Sequence, residues 1–209
     1  MVEGEGVTAL SEDQILVAAA LAGDNDSFNQ LVERYQNRAY GLCYRMLGDA
    51  DAAADVAQDA FISAYRHLPS LRGEFRPWLM RIVANACRDV LRSNKRHPSV
   101  SLDTNPRDED ESPALQIADT KPNPEEHLMR AELHRSISVA LLQIPLDQRT
   151  VVILSDIEGM SYDEIAVVTG ANIGTVKSRL NRARVRLREI FVAAELFPTV
   201  RRLYADEES

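Results

Sequence analysis

The stretch MSYDEIAVVTGANIGTVKSRLNRARVRL, Met160 to Leu187, decides how the chain is read. Ser161 followed three residues later by Glu164 is a capping box, so a helix begins there, and Gly170 is a natural stop for it. Asn172 then offers the cap of a second helix. Along that helix Val176, Leu180, Ala183 and Leu187 recur at steps of three and four and form one apolar stripe. A short helix, a Gly-containing turn and a longer helix are the outline of a helix-turn-helix, whose second helix enters a DNA major groove.

Six cations, Lys177, Arg179, Arg182, Arg184, Arg186 and Arg188, crowd this helix in a chain of 209 residues whose formal net charge is −8. Winding the helix at about 100° per residue sets Ser178, Asn181 and Arg182 opposite the apolar stripe, with Lys177 and Arg179 beside them near the N-terminal end. A hydroxyl and an amide flanked by Lys and Arg can read base edges, whereas Arg184, Arg186 and Arg188 suit phosphates or solvent. The acidic total does not oppose this, because charge acts locally within a Debye length.

Working outward, 45% of the residues are hydrophobic and Ala/Leu/Arg/Glu-rich runs dominate, so the expected fold is all-α with cores of useful size. Cys43 and Cys87 are the only cysteines and neither sits in a C-x-x-C pair, which argues against a disulfide framework or a zinc site and suits a reducing cytoplasm. The apolar run near the N-terminus, Ile15 to Ala22, is too short to span a bilayer, so no membrane insertion is expected.

The N-terminal part reads as four helices. Ser11 with Gln14 caps the first and Gly23 closes it. Phe28, Leu31, Val32, Tyr35, Ala39, Leu42, Cys43 and Met46 give the second one buried face as far as Gly48. In the third, Asp49 to Leu68, the alanines and Val56 turn inward while Asp55, Gln58 and Asp59 share the outer face. After a loop through Pro69 and Gly73, the fourth is expected to open at Pro77 and run to about Arg96. Trp78, Leu79, Ile82, Val83, Ala86 and Val90 take its apolar side, leaving Arg81, Asn85, Arg88 and Arg92 on one stripe suited to phosphates and a base edge.

From His97 to Pro124 five prolines and the run Asp108 to Glu111, DEDE, read as an acidic tether between two domains. The second domain resumes near Glu125, with one helix stopped at Pro145 and another over about Asp147 to Ile157, ahead of the helix-turn-helix. No phosphate-binding glycine loop, H-E-x-x-H or G-x-S-x-G is present and the four histidines are scattered, so no enzyme, cofactor or small-molecule substrate is expected.

DVAQDAFISAY, Asp55 to Tyr65, RPWLMRIVANACRDVLRSNKR, Arg76 to Arg96, and the opening stretch together resemble the extracytoplasmic-function (ECF) group of the bacterial sigma-70 family of RNA polymerase sigma factors. Their order and the acidic linker between them carry the resemblance over nearly the whole chain. It implies a region-2-like domain at 1–96, a linker at 97–124, a region-4-like domain at 125–193 and a C-terminal tail at 194–209, residues 194–209 having no role it assigns.

In this family the first domain binds the clamp helices of core RNA polymerase and melts the downstream promoter box, while the second meets the flap and reads the upstream box. Carried onto this sequence, Asp55, Gln58 and Asp59 face the polymerase. Ser70, Leu71, Arg72 and Gly73 belong to the loop that captures an extruded base of the melted non-template strand, and Arg81, Asn85, Arg88 and Arg92 to its adjoining recognition helix. Thr175, Lys177, Ser178, Arg179, Asn181 and Arg182 inherit the contacts with duplex promoter DNA. The usual Leu-Pro before the penultimate helical element stands here as Ile144-Pro145. An anti-sigma factor is a further partner that the resemblance implies. The competing reading is an operator-binding regulator that works without polymerase, which leaves the first domain unexplained.

Overall fold

The computed structural model describes residues 10–96 and 124–194, with side chains from Glu132 onward in the second stretch. The linker expected at 97–124 and the tail at 194–209 fall almost wholly outside the described residues. Within them the chain is all-α: α1 Glu12–Leu21, α2 Asn25–Leu47, α3 Ala50–His67, α4 Phe75–Arg96, α5 Pro124–Leu142, α6 Leu146–Val152, α7 Tyr162–Thr169 and α8 Ile173–Ala193. None of these helices is long and apolar enough to cross a membrane.

α1 to α4 form the first bundle. Ser11 and Gln14 make the expected capping box, Asp24 caps α2 and Asp49 caps α3. Leu31, Leu42 and Met46 of α2, Leu79, Met80 and Val83 of α4 and the small Ala53, Ala60 and Ala64 of α3 are buried in one core where these three helices pack. Arg34 of α2 grips α1 through Asp13 at 2.5 Å and Glu12 at 2.8 Å, while the Tyr35 hydroxyl donates to Asp13. Cys43 and Cys87 are fully buried and free, and Cys87 beside it, together with burial, drives the Cys43 thiol up. α4 starts at Phe75, two residues before the expected Pro77. Proline is tolerated there because the first-turn N–H groups have no intrahelical acceptor.

The second bundle is α5 to α8. The helix expected over about 147–157 is α-helical only to Val152 and continues as a π segment, Ile153–Ile157. The Glu158 N–H reaches the Ile153 carbonyl at 2.9 Å, closing the wider turn. Val151, Val152, Ile153 and Leu154 are all buried, more consecutive residues than one face of an α-helix hides. The wider turn after them brings Asp156 to the surface. There it takes a bidentate pair from Arg184, 3.0 Å to Nε and 2.6 Å to the terminal nitrogen, so the still exposed Arg184 side chain also ties α8 to the π segment. Ser161 and Glu164 cap α7 reciprocally, and the Asn172 side chain accepts from the Thr175 N–H at 2.8 Å to start α8.

The two bundles pack on each other, α4 against α7 and α2 against α5, so the two cores run together. Gly48, the left-handed C-cap of α2 at φ 79°, is the seat for Leu142 of α5, since a Cβ there would lie 2.5 Å from Leu142 Cδ1. Arg149 of α6 is buried, and its guanidinium donates to Met46 O of α2 at 2.5 Å and to Leu142 O of α5 at 2.7 Å. Arg76 of α4 donates to the Glu158 carbonyl. Burial pushes the Glu158 carboxyl up, against the opposing pull of Arg45, Arg38 and Arg76 of the first bundle.

Two outcomes follow from these contacts. Gly48→Ala should cost about 1–2 kcal/mol in urea unfolding for the left-handed backbone alone, with a further loss that Leu142→Ala partly relieves in the double variant. For Asp156, burial raises the carboxyl, but hydrogen bonds from Arg184 and Ser155 and the charge of Arg184 outweigh it and hold it below its ordinary value. Its stabilising contribution is therefore complete above the unfolded value of about 3.9 and is lost as pH falls through the lower folded one. In Arg184→Ala burial is opposed less, and acid unfolding followed by circular dichroism should begin at a higher pH.

Candidate nucleic-acid interface

α8 delivers the expected register. Val176, Leu180, Ala183 and Leu187 are buried, which leaves Lys177, Ser178, Asn181 and Arg182 exposed on the opposite side. Thr175 is half-buried beneath them. The Ser178 hydroxyl donates to the Thr175 carbonyl at 3.0 Å, which fixes its rotamer. Lys177 lies 5.7 Å from the centroid of the Tyr162 ring. Arg179 is drawn to Asp147 at 2.8 Å and is half-buried, so it stands apart from the free row.

The stripe on α4 is equally clear. Arg81, Asn85 and Arg92 are exposed, and Arg88 is half-buried with one guanidinium nitrogen donating to Asn85 Oδ1 at 3.0 Å. Burial pulls the Arg88 guanidinium down, Asp147 opposes this, and Arg179 and Arg92 add to it. Arg88 thus has three charged neighbours of which two repel it, while its amide partner carries no charge. Arg92 has its own counter-ion in Asp89, at 3.6 Å on the same helix.

The loop joining the stripe to α3 is built by local bonds. A single 3₁₀ turn spans Leu68–Ser70, the Ser70 hydroxyl donates to His67 O at 2.7 Å, and Arg72 folds back to Leu71 O at 2.9 Å. Gly73 takes φ 86°, which an L side chain rarely adopts. Leu71 is half-buried against the core and Ser70, Arg72 and Gly73 are exposed.

Two clefts gather these residues. Asn85, Arg88 and Arg92 meet Arg179 and Asp147 around a cleft of about 360 Å³ between α4 and the second bundle. Ser70, Arg72, Gly73 and Arg81 face Asp163 and Glu164 of α7 around another of about 790 Å³. Asp55, Gln58 and Asp59 line neither cleft and stand exposed on α3. Trp78, expected on the inward apolar stripe, packs against the core and also borders the larger cleft. The bridging residues Arg76, Arg149 and Glu158 were not singled out from sequence. A lone Arg carries no periodic signal, and its partners here are backbone carbonyls rather than acids.

The Sigma-70 region 2 family matches residues 31–97 and the Sigma-70 region 4 family residues 134–187. The RNA polymerase sigma-H factor of Pseudomonas aeruginosa is 38% identical over 175 residues, 83% of this chain and 90% of that protein. The ECF RNA polymerase sigma-E factor of Escherichia coli K12 is 38% identical over 176 residues, 82% and 90% of the two chains. Among solved structures, CnrH in complex with the cytosolic domain of CnrY matches with TM-score 0.63 and 28% identity, over 88% of this chain and 99% of that one. The sigma factor RpoE of Bartonella quintana, solved with the anti-sigma factor NepR, matches at 0.60 and 26%, over 78% and 96%. With both regions matched in order and this identity sustained over four fifths of its length, the chain belongs to the ECF group of the sigma-70 family of RNA polymerase sigma factors.

Proposed function

We propose the following division of labour for this alternative sigma factor. Residues 1–96 bind core RNA polymerase and open the downstream promoter box, 97–124 tether the domains, and 125–193 read the upstream box. Asp55, Gln58 and Asp59 dock on the clamp helices, and the second domain meets the flap. The loop Ser70, Leu71, Arg72 and Gly73 takes an extruded base of the non-template strand, with Arg81, Asn85, Arg88 and Arg92 beside it. Flipping a base into a pocket couples strand opening to sequence reading. The chain then acts in the cytoplasm, without a catalytic step of its own, on promoters of a stress or envelope response. An anti-sigma protein is its proposed regulator, by analogy with the complexes of CnrH and of the Bartonella factor.

The observation that carries the upstream-box reading is the free row Lys177, Ser178, Asn181 and Arg182 on a capped, internally clamped helix. An amide and a guanidinium one residue apart can make bidentate contacts with adenine and guanine edges. Thr175 and Arg179 support the row from its flank, Arg179 on release from Asp147.

The deciding experiment is transcription by purified bacterial core polymerase on a fragment library, with and without this protein, scoring starts and permanganate-reactive bases. Starts that share two spaced boxes and need the protein support the proposal. Tight duplex binding without polymerase and no starts would favour an operator-binding regulator. In that assay Arg182→Ala should cost about 1–3 kcal/mol at one position of the upstream box and relax specificity there. Replacing Asp55, Gln58 and Asp59 together by Ala should weaken polymerase association measured by gel shift, with unfolding stability close to unchanged because all three are exposed.

A further inference from the structure

Every side chain around the cleft of about 360 Å³ between α4 and the second bundle is polar or charged, and three of them are guanidiniums. Arg88 and Arg92 stand on the α4 wall with Asn85 and Asp89, while Arg179 of α8 and Asp147 of α6 belong to the other wall. The volume is that of a small-ligand pocket. With no apolar or aromatic side chain in its lining, the cleft has nothing to offer a hydrophobic ligand or the face of a ring.

Its cations are short of negative charge. Asp89 lies 3.6 Å from Arg92, beyond hydrogen-bond length, and Asp147 takes one bond from Arg179 at 2.8 Å. Arg88 is left with the uncharged Asn85 Oδ1 at 3.0 Å and no ion pair among the described residues. It is half-buried, and burial, resisted by Asp147 and aided by Arg179 and Arg92, pulls its guanidinium down. Each guanidinium carries more N–H groups than these bonds use. Phosphate oxygens suit the guanidinium fork bidentately. A single phosphate has one centre of charge, whereas a short chain of phosphates spreads its charge over the guanidiniums of both walls.

We propose that this cleft is a binding site for a small polyphosphate, two or three linked phosphates free or carried by a nucleotide, held by Arg88 and Arg92 from one bundle and Arg179 from the other. Asp89 and Asp147 make the site selective, because an anion must carry enough charge to outweigh both carboxylates, which disfavours chloride, sulfate and a lone phosphate. The ligand and DNA compete for Arg88 and Arg92, a consequence that rests on the roles given under Proposed function. The level of the polyphosphate then sets how much of the free factor can read a promoter.

The test is isothermal titration calorimetry of the full chain with sodium tripolyphosphate, at an ionic strength held constant with potassium chloride, beside ATP, orthophosphate and sulfate. One site per chain is expected, with tripolyphosphate bound at least about tenfold more tightly than orthophosphate or sulfate. Arg88→Gln, Arg92→Gln and Arg179→Gln should each weaken it about tenfold, whereas Arg186→Gln and Arg188→Gln, exposed on α8 and outside the cleft, should leave it unchanged. Circular dichroism checks that each variant is folded, and Arg92→Gln, at an exposed side chain, carries the test if Arg88→Gln or Arg179→Gln is not. ATP bound as tightly as tripolyphosphate points to a nucleotide as the carrier, much weaker ATP points to the free polyphosphate, and both support the site. Several equivalents per chain, equal losses in the Arg186 and Arg188 variants, or orthophosphate as tight as tripolyphosphate would reduce the binding to diffuse attraction and overturn the site. No binding at millimolar ligand, binding of ATP alone, or undiminished binding by Arg179→Gln would overturn it too. Anisotropy of labelled random-sequence single-stranded DNA reads the competition: tripolyphosphate should displace DNA from the wild type at a concentration about tenfold lower than from Arg179→Gln, and equal concentrations defeat it. The calorimetry contains neither DNA nor polymerase, so its failure leaves the sigma reading standing, while a chain that binds polyphosphate yet starts no transcription loses the sigma reading and keeps the site.

Discussion

One buried guanidinium, that of Arg149, ties together the ends of three helices. It stands in the first turn of α6 and donates to carbonyls at the C-terminal ends of α2 and α5, groups that a helix leaves without intrahelical partners. A cation there also meets the negative ends of the α2 and α5 dipoles. No carboxylate among the described residues neutralises it, and burial pulls the guanidinium down from its ordinary value. Such a charge is tolerated only because carbonyl dipoles take the place of water, so removing the carbonyl geometry would leave it uncompensated. α6 runs from this junction into the π segment, which presents Asp156 to Arg184 of α8.

The recognition helix is accordingly positioned by polar contacts at intervals along its length. Asn172 fixes its start, Arg179 is held to Asp147 of α6, and Arg184 to Asp156. Between these anchors Lys177, Ser178, Asn181 and Arg182 project without a carboxylate partner among the described residues. A rigid helix with a free row between fixed points keeps the cost of ordering low when a ligand arrives.

Much of this was legible in the sequence, and the reasons differ by element. α8 and α2 carry long apolar stripes at helical spacing, and Ser11, Ser161 and Asn172 mark the starts of α1, α7 and α8 by side chains that bond only locally. The start of α4 was misplaced by two residues because Pro77 is compatible with any first-turn position. The π segment was not legible, since the apolar run Val151 to Leu154 followed by Ser155 and Asp156 fits a longer α-helix equally well in one dimension. The face of α3 was readable from its acids, while the pairing of Arg179 and Arg184 was not, because their partners lie 32 and 28 residues away. Nor could periodicity reveal the packing of the bundles, as the contacts that create it are single side chains meeting backbone.

The internal ion pairs of α8 also bear on thermodynamics of a different kind. When a protein cation meets a DNA phosphate, the gain comes largely from condensed counterions returning to bulk, and affinity falls steeply with added salt. Arg179 and Arg184 already carry counterions of their own in Asp147 and Asp156. For either to reach a phosphate, a carboxylate must be left behind, and it gathers a cation from solution as the DNA releases one. The exchange nearly cancels. On the proposed reading of α8 as the upstream-box helix, the ionic-strength slope of DNA engagement would follow Lys177, Arg182, Arg186 and Arg188 rather than all six cations of the helix.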